Sequence, residues 1–163
     1  MAVIRPAVPD DAESITELVN VVGAEGKFVL RERATWTIEE ERRTLAAADG
    51  RHGVFFLADV LGRVSGLINL GRGIWAKDAH LAELGMSCLP DCRRVGLGTA
   101  LLSRGIGWAR WVGVSKLTLH VFANNDPAIA LYRKMGFNEE ARLRGQYRID
   151  GQPVDSVLMA LWL

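Results

Sequence analysis

Apolar and polar positions repeat along this chain with two different periods, and the switches between them outline its elements. Near the N-terminus Ala12, Ile15, Leu18, Val19 and Val22 recur at steps of three and four, the stripe of an amphipathic helix. A short strand over residues 2–5 precedes it. Pro9-Asp10-Asp11 opens the helix and Gly23 is its expected stop. Residues 24–36 have no clear period. Thr37-Ile38-Glu39-Glu40 then has the form of a capping box and starts a second helix, to about Ala48. Its acidic first turn, followed by Arg42 and Arg43, suits the helix dipole, and Glu39 and Arg43 are i,i+4 partners.

Three apolar segments follow, 53–60, 63–71 and 80–89, and they read as strands. Leu61-Gly62-Arg63 reads as a hairpin turn. The helical period returns over 97–112, where Leu102, Ile106 and Ala109 form a stripe with Leu101 and Trp108 beside it. Residues 116–123 are a strand. Asp126-Pro127 is an expected N-cap followed by Pro at the first helical position, and that helix runs to Met135 and stops at Gly136. Residues 137–147 and 153–162 close as a hairpin around Asp150-Gly151. The order is β α α β β β α β α β β. Helices are too few and too unevenly placed for a doubly wound sheet. The fourth strand, its following helix and the fifth strand can form a parallel crossover, and the other neighbours look like hairpins. The expected class is α/β (α+β): a mixed, mostly antiparallel sheet with helices on both faces.

A length of 163 residues fits one domain, 1–163. A net charge of +1 gives no basic footprint, so nucleic acid is not an expected partner. No apolar run reaches the roughly 18 residues of a membrane span, and MAVIRPAVPDD lacks the apolar core of a signal peptide. No membrane is therefore expected, and the cytoplasm is the expected location. Cys88 and Cys92 have no second Cys/His pair, so no metal site is expected.

The segment from Glu83 to Thr99 carries the most chemistry. It reads as strand, turn, glycine loop and helix start. Orphan backbone N–H groups and the helix dipole favour an anion at such a place. Gly96 and Gly98 let backbone approach phosphate oxygens, and Arg93 and Arg94 add charge. A P-loop, G-x-x-x-x-G-K-[ST], is absent. A dinucleotide fingerprint fails too. Its third glycine would fall on Leu101, and the next strand ends in Phe122-Ala123-Asn124-Asn125 with no ribose-binding acid. On these residues alone, the loop is an anion site or a plain strand–helix turn.

A second segment runs Asn125-Asp126-Pro127-Ala128-Ile129-Ala130-Leu131-Tyr132-Arg133-Lys134-Met135-Gly136-Phe137. The two segments together resemble the GNAT (GCN5-related N-acetyltransferase) superfamily. Its [RQ]-x-x-G-x-[GA] is met by Arg93, Gly96 and Gly98. Its N-x-x-A-I-x-L-Y-x-x-x-G-F is met by Asn125, Ala128, Ile129, Leu131, Tyr132, Gly136 and Phe137. The closing stretch, 145–160, looks like the branch with bacterial amino-acid and polyamine acetyltransferases. Two positions depart from the pattern: Cys92 replaces a frequent aromatic, and Arg94 replaces a frequent glycine.

The resemblance implies a seven-stranded sheet with about four helices, its fourth and fifth strands parallel and splayed. It implies transfer of an acetyl group from acetyl-CoA to an amine, with no metal, and it makes a homodimer possible. The backbone of Met86 and Cys88 would pair with the pantetheine arm. The N–H groups of Arg94, Val95, Gly96, Leu97, Gly98 and Thr99 would hold the pyrophosphate. Tyr132 would protonate the leaving thiolate; on bare sequence it reads as a packing tyrosine. Asn125 would bind the cofactor or the acceptor, or cap a helix. For the base two candidates stand: Glu83, sharing a strand face with Gly85 and Ser87, and His120 on the next strand, with an ordinary pKa of ~6.5. The acceptor wall is expected in the segment from Glu25 to Trp36, whose mixed charges (Glu25, Lys27, Arg31, Glu32, Arg33) fit a small zwitterionic amine such as an amino acid. A protein amine, such as a ribosomal-protein N-terminus, and a non-catalytic acetyl-CoA-binding module are the alternatives.

Overall fold

The computed structural model describes residues 2–163. Its strands are β1 (Ala2–Pro6), β2 (Gly53–Val60), β3 (Arg63–Arg72), β4 (Leu81–Cys88), β5 (Lys116–Phe122), β6 (Asn138–Ile149) and β7 (Gln152–Trp162). Its helices are α1 (Ala12–Ala24), α2 (Ile38–Ala47), α3 (Leu97–Trp111) and α4 (Asp126–Lys134). The strands form one sheet in the order β1-β2-β3-β4-β5-β7-β6. Only β4 and β5 are parallel; the other neighbours are antiparallel. The expected mixed, mostly antiparallel architecture is what forms.

Alternation along the strands sends side chains to two separate cores. Phe56, Ile68, Leu84, Leu119 and Met159 pack with α3 and α4 on one face. Leu57 and Leu67 pack with Ile15, Leu18 and Leu45 of α1 and α2 on the other. The apolar stripes of the helices are thus buried against opposite sides of one sheet. Truncating a core side chain such as Leu18, which is 1% exposed, costs about 2–5 kcal/mol.

The turn chemistry follows the residues. Leu61 and Gly62 have φ of 52° and 82°, and Asp150 and Gly151 have 51° and 76°, the paired left-handed geometry of two-residue hairpins. Thr37 caps α2 with its side chain accepting from Glu40 N–H at 3.2 Å, while Glu40 accepts from Thr37 N–H at 2.7 Å.

Two helix ends differ from expectation. Pro9–Asp11 is a 3₁₀ turn, and α1 runs through Gly23 to Ala24. Gly23 is buried because the returning chain crosses it. A Cβ there would collide with the carbonyl oxygens of Arg31 and Glu32. The glycine serves close approach rather than termination, and Gly26, at φ 62°, takes the left-handed turn instead. At α4 the N-cap is Asn125, not Asp126, so Pro127 stands one position deeper than expected. Among the described residues no helix is long and apolar enough to cross a membrane.

Candidate active site

The parallel pair β4–β5 is short. Leu81 pairs with Lys116, Ala82 with Leu117 and Glu83 with Thr118, and there the register ends. β4 stays paired to β3 as far as Cys88 with Gly66, and β5 stays paired to β7 as far as Phe122 with Ser156. A gap therefore opens between β4 and β5 in the middle of the sheet, with its vertex at Glu83 and Thr118.

Backbone direction shows which groups border the gap. The Leu81 carbonyl accepts from Gly73 N–H at 3.1 Å, and Leu89 N–H donates to the Ser65 carbonyl at 2.9 Å. Odd-numbered residues of β4 thus face β3, and by alternation Leu84, Met86 and Cys88 present N–H and C=O to the gap. The Cys88 carbonyl is taken by Arg93 Nε at 3.0 Å. Met86 has no strand partner on that side. An interior strand with open backbone groups fits an extended amide-bearing ligand lying in the gap as an added strand.

Beyond the gap lies the start of α3. Its first helical hydrogen bond is Ala100 N–H to the Gly96 carbonyl at 3.0 Å. The N–H groups of Leu97, Gly98 and Thr99 have no acceptor within the helix and remain available to an anion. Gly96 caps the helix at φ 86°, a conformation only glycine adopts without strain. Arg94 adopts φ 62° without being glycine, so the departure from the family pattern carries local strain of about 1 kcal/mol. Gly98 is explained by packing. A Cβ there would lie 2.7 Å from Leu131 Cδ2 and 3.5 Å from Met86 Cε. That contact joins β4, α3 and α4 at one point.

Arg93 is held as a tether. Its guanidinium pairs with both carboxylate oxygens of Glu25, at 3.0 and 2.6 Å, while Nε holds the Cys88 carbonyl. Arg94 and Val95 are exposed beside it.

Tyr132 lies on the α3/α4 side, buried at 6% exposure, its ring edge-on to Phe137 with centroids 5.8 Å apart. Burial, reinforced by the neighbouring Cys88 thiol, pushes its phenol up to about 12. Burial likewise pushes the Cys88 thiol up to about 11. No fully enclosed side-chain oxygen lacks a partner among the described residues. The Tyr132 hydroxyl, which bonds to no protein group, therefore opens onto free space. Both cysteines are free.

Asn125 Oδ1 accepts from Ala128 N–H at 3.3 Å, so this side chain caps α4 and thereby sets the helix that carries Tyr132. The two base candidates project from the opposite face. Glu83 is exposed at the vertex between Gly71 and Thr118. His120 is exposed on β5, with Nδ1 3.3 Å from the Oγ of buried Ser156. The fold thus brings Met86, Cys88, the 93–99 loop and Tyr132 to one side of the gap, and Glu83 and His120 to its other face.

That other face holds a cavity of about 460 Å³ between α1, α2 and the sheet. Ile15, Val19, Phe55 and Leu67 line it, and Asn69 and Ser87 connect it to the strands beside the gap. Of the charged wall expected from Glu25 to Trp36, Arg31 alone lines it, its guanidinium 5.0 Å from the centre of the Trp36 ring. Glu25 is engaged by Arg93, and Trp75 is 71% exposed on a loop outside the lining. Three polar lining residues escaped the sequence reading, Glu41, Thr44 and Asn69. The signal for Glu41 is its place four residues before Leu45 on the apolar stripe of α2; it looked like one more acid in a capped first turn. Among the described residues no group of three or more His, Cys, Asp or Glu could hold a metal ion.

The [Ribosomal protein bS18]-alanine N-acetyltransferase of Escherichia coli (strain K12) is 44% identical over 72 residues, covering 44% of this chain and 49% of that protein. The L-amino acid N-acetyltransferase AaaT of the same strain is 31% identical over 83 residues, covering 50% of this chain and 51% of that protein. The chain thus spans about half the length of these curated relatives. A solved acetyltransferase of the GNAT family from Streptococcus pneumoniae superposes with a TM-score of 0.93 at 28% identity, covering 100% of both chains. The sequence model of the Acetyltransferase (GNAT) family matches residues 24–137, the stretch that holds the gap, the glycine loop and Tyr132, and the chain belongs to that family.

Proposed function

We propose that the protein is an acetyl-CoA-dependent N-acetyltransferase acting on the primary amine of a small molecule, by direct attack in a ternary complex. The observation that carries this reading is the gap beyond Glu83 and Thr118, bordered by the open backbone of Met86 and followed by the free N–H groups at the start of α3. Acetyl-CoA supplies an activated thioester and, with it, the pyrophosphate that the α3 terminus suits.

The residues then divide the work. Backbone groups of Met86 and Cys88 orient the pantetheine arm, and Met86 N–H lies where it can stabilise the carbonyl oxygen as negative charge grows on it. Tyr132 stays protonated at neutral pH and offers its hydroxyl hydrogen to the departing sulfur. A phenol near 12 is a weak acid, but the burial that raises it also raises the proton affinity of a thiolate beside it. Asn125 acts through α4, as a positioning residue. Glu83 or His120, across the gap, accepts the amine proton through water.

The cavity on the α1/α2 face supports a small acceptor, since its volume lies in the ~300–1,000 Å³ range of small-molecule sites. Acetylation of a protein amine is the second reading, favoured by the similarity to the bS18-alanine enzyme. A thiol-release assay over amino acids, diamines and short peptides tests both. Thiol release with free amines at a kcat/KM at least tenfold above that with peptides is the expected result. The reverse ratio replaces the small-molecule reading with the protein one. Tight acetyl-CoA binding with no thiol release from any acceptor would overturn the enzyme reading.

A further inference from the structure

Glu41 is the one carboxylic acid lining the α1/α2 cavity, and the reading above leaves its chemistry unused. It is 7% exposed, on the face of α2 that also buries Leu45. Most of its neighbours in the lining are apolar: Ile15, Val19, Val22, Val29, Phe55 and Leu67. Arg31 influences it across space, but the carboxyl has neither a hydrogen bond nor an ion pair among the described residues. Its oxygens are not sealed in, because no enclosed side-chain oxygen lacks a partner. An acid placed on a helix's apolar stripe and left without a partner is a cost to folding. It faces a volume that also touches Ser87, on the strand beside the gap.

We propose that Glu41 determines acceptor specificity, by receiving a second, basic group of an amine acceptor whose apolar stem fills the cavity while its reactive amine lies toward Ser87. The ligand chemistry is a hydrocarbon stem with a cationic hydrogen-bond donor at the end remote from the reacting nitrogen. A free diamine and a peptide with a lysine side chain both carry it. This rests on the reading of the cavity as the acceptor site. Arg31 makes no hydrogen bond or ion pair with the carboxyl among the described residues; its guanidinium lies 5.0 Å from the centre of the Trp36 ring and acts on Glu41 only across space. A cation of matching reach supplies the missing partner, and a charged hydrogen bond formed among largely apolar side chains is stronger than one at the surface.

The test measures binding, so it does not depend on turnover. With CoA present, calorimetry compares 1,6-diaminohexane with 1-aminohexane, and an alanyl-lysine peptide with its alanyl-norleucine counterpart. In at least one pair the member with the second basic group is expected to bind tenfold or more tighter. In Glu41→Gln that ratio is expected to fall below twofold, with the affinity of the member lacking that second group unchanged. The pair that shows the preference identifies the source, small amine or peptide. Glu41→Leu, similar in size and uncharged, serves if the glutamine variant folds poorly. Equal affinities within both pairs in the native protein overturn the proposal, as does a preference that survives both substitutions. A preference abolished by Glu41→Gln in a protein that releases no thiol would remove the catalytic reading and keep this one.

Discussion

The guanidinium of Arg93 grips both carboxylate oxygens of Glu25, 68 residues away in sequence, at 3.0 and 2.6 Å. The pair ties the end of α1, which walls the α1/α2 cavity, to the loop that leads into α3. With Nε on the Cys88 carbonyl, one side chain joins the loop, β4 and α1.

That geometry makes Arg93 a planar tether more than a source of charge. Glu25→Gln should lower stability by about 0.5–1.5 kcal/mol, a value discounted because both partners are partly exposed. Arg93→Lys keeps the charge but loses the fork. In urea unfolding it should fall close to Arg93→Ala. A lysine variant as stable as the native protein would show that charge alone matters.

Tyr132→Phe should slow turnover by about 10²-fold while leaving the acetyl-CoA Kd within about twofold. Because burial raises the phenol to about 12, Tyr132 stays protonated through the working range. No alkaline fall in kcat below about pH 10 should vanish in the phenylalanine variant. A limb that disappears on substitution would contradict the assigned protonation state.

The two loop glycines should fail differently. Gly96→Ala forces a side chain into φ 86° and should cost about 1–2 kcal/mol of stability. Gly98→Glu puts bulk against Leu131 Cδ2 and a negative charge at the α3 N-terminus. It should abolish acetyl-CoA binding in calorimetry. Retained affinity would sink the anion-site assignment.

Glu83 and His120 border one gap, so the rate profile separates them. If Glu83 is the base, Glu83→Gln should lower kcat/KM about 10²-fold at neutral pH, with His120→Gln close to native. The opposite ranking would give the role to His120. Two near-native variants would mean that the amine arrives already neutral.

Burial holds the Glu41 carboxyl above its ordinary value, against the opposing pull of Arg31. A raised acid binds more protons folded than unfolded. Its penalty on stability is therefore absent below the unfolded value, near ~4.3, and grows as pH rises through the folded one. Glu41→Gln should raise the melting temperature at pH 8, and the gain should shrink toward pH 4. A gain of equal size at both would show that ionisation is not its source.

Much of this site was legible because it depends on local rules. The Thr37–Glu40 box, the Asp150-Gly151 turn and the apolar stripe of α3 follow from neighbours in the chain. Gly96, Gly98 and Tyr132 stood out only through the family resemblance, because on bare spacing the loop is a strand–helix turn and the tyrosine a packing residue. Two helix ends were not legible. Gly23 had the look of a stop, and only the crossing of the Arg31–Glu32 backbone showed that it is a point of contact. Asn125 took the cap expected of Asp126, because two adjacent capping residues leave the choice to the path of the chain.

By itself the sequence determined the order of elements, the apolar stripes of the helices and the place of the glycine loop between a strand and a helix. All three rest on spacings of a few residues. Only the tertiary structure decided that β4 and β5 part after Glu83, that Glu25 is spent on Arg93, and that Glu41 faces the α1/α2 cavity without a partner. Each of these depends on residues far apart in the chain, and a carboxylate's partner is set by what the fold brings within about 3 Å of it.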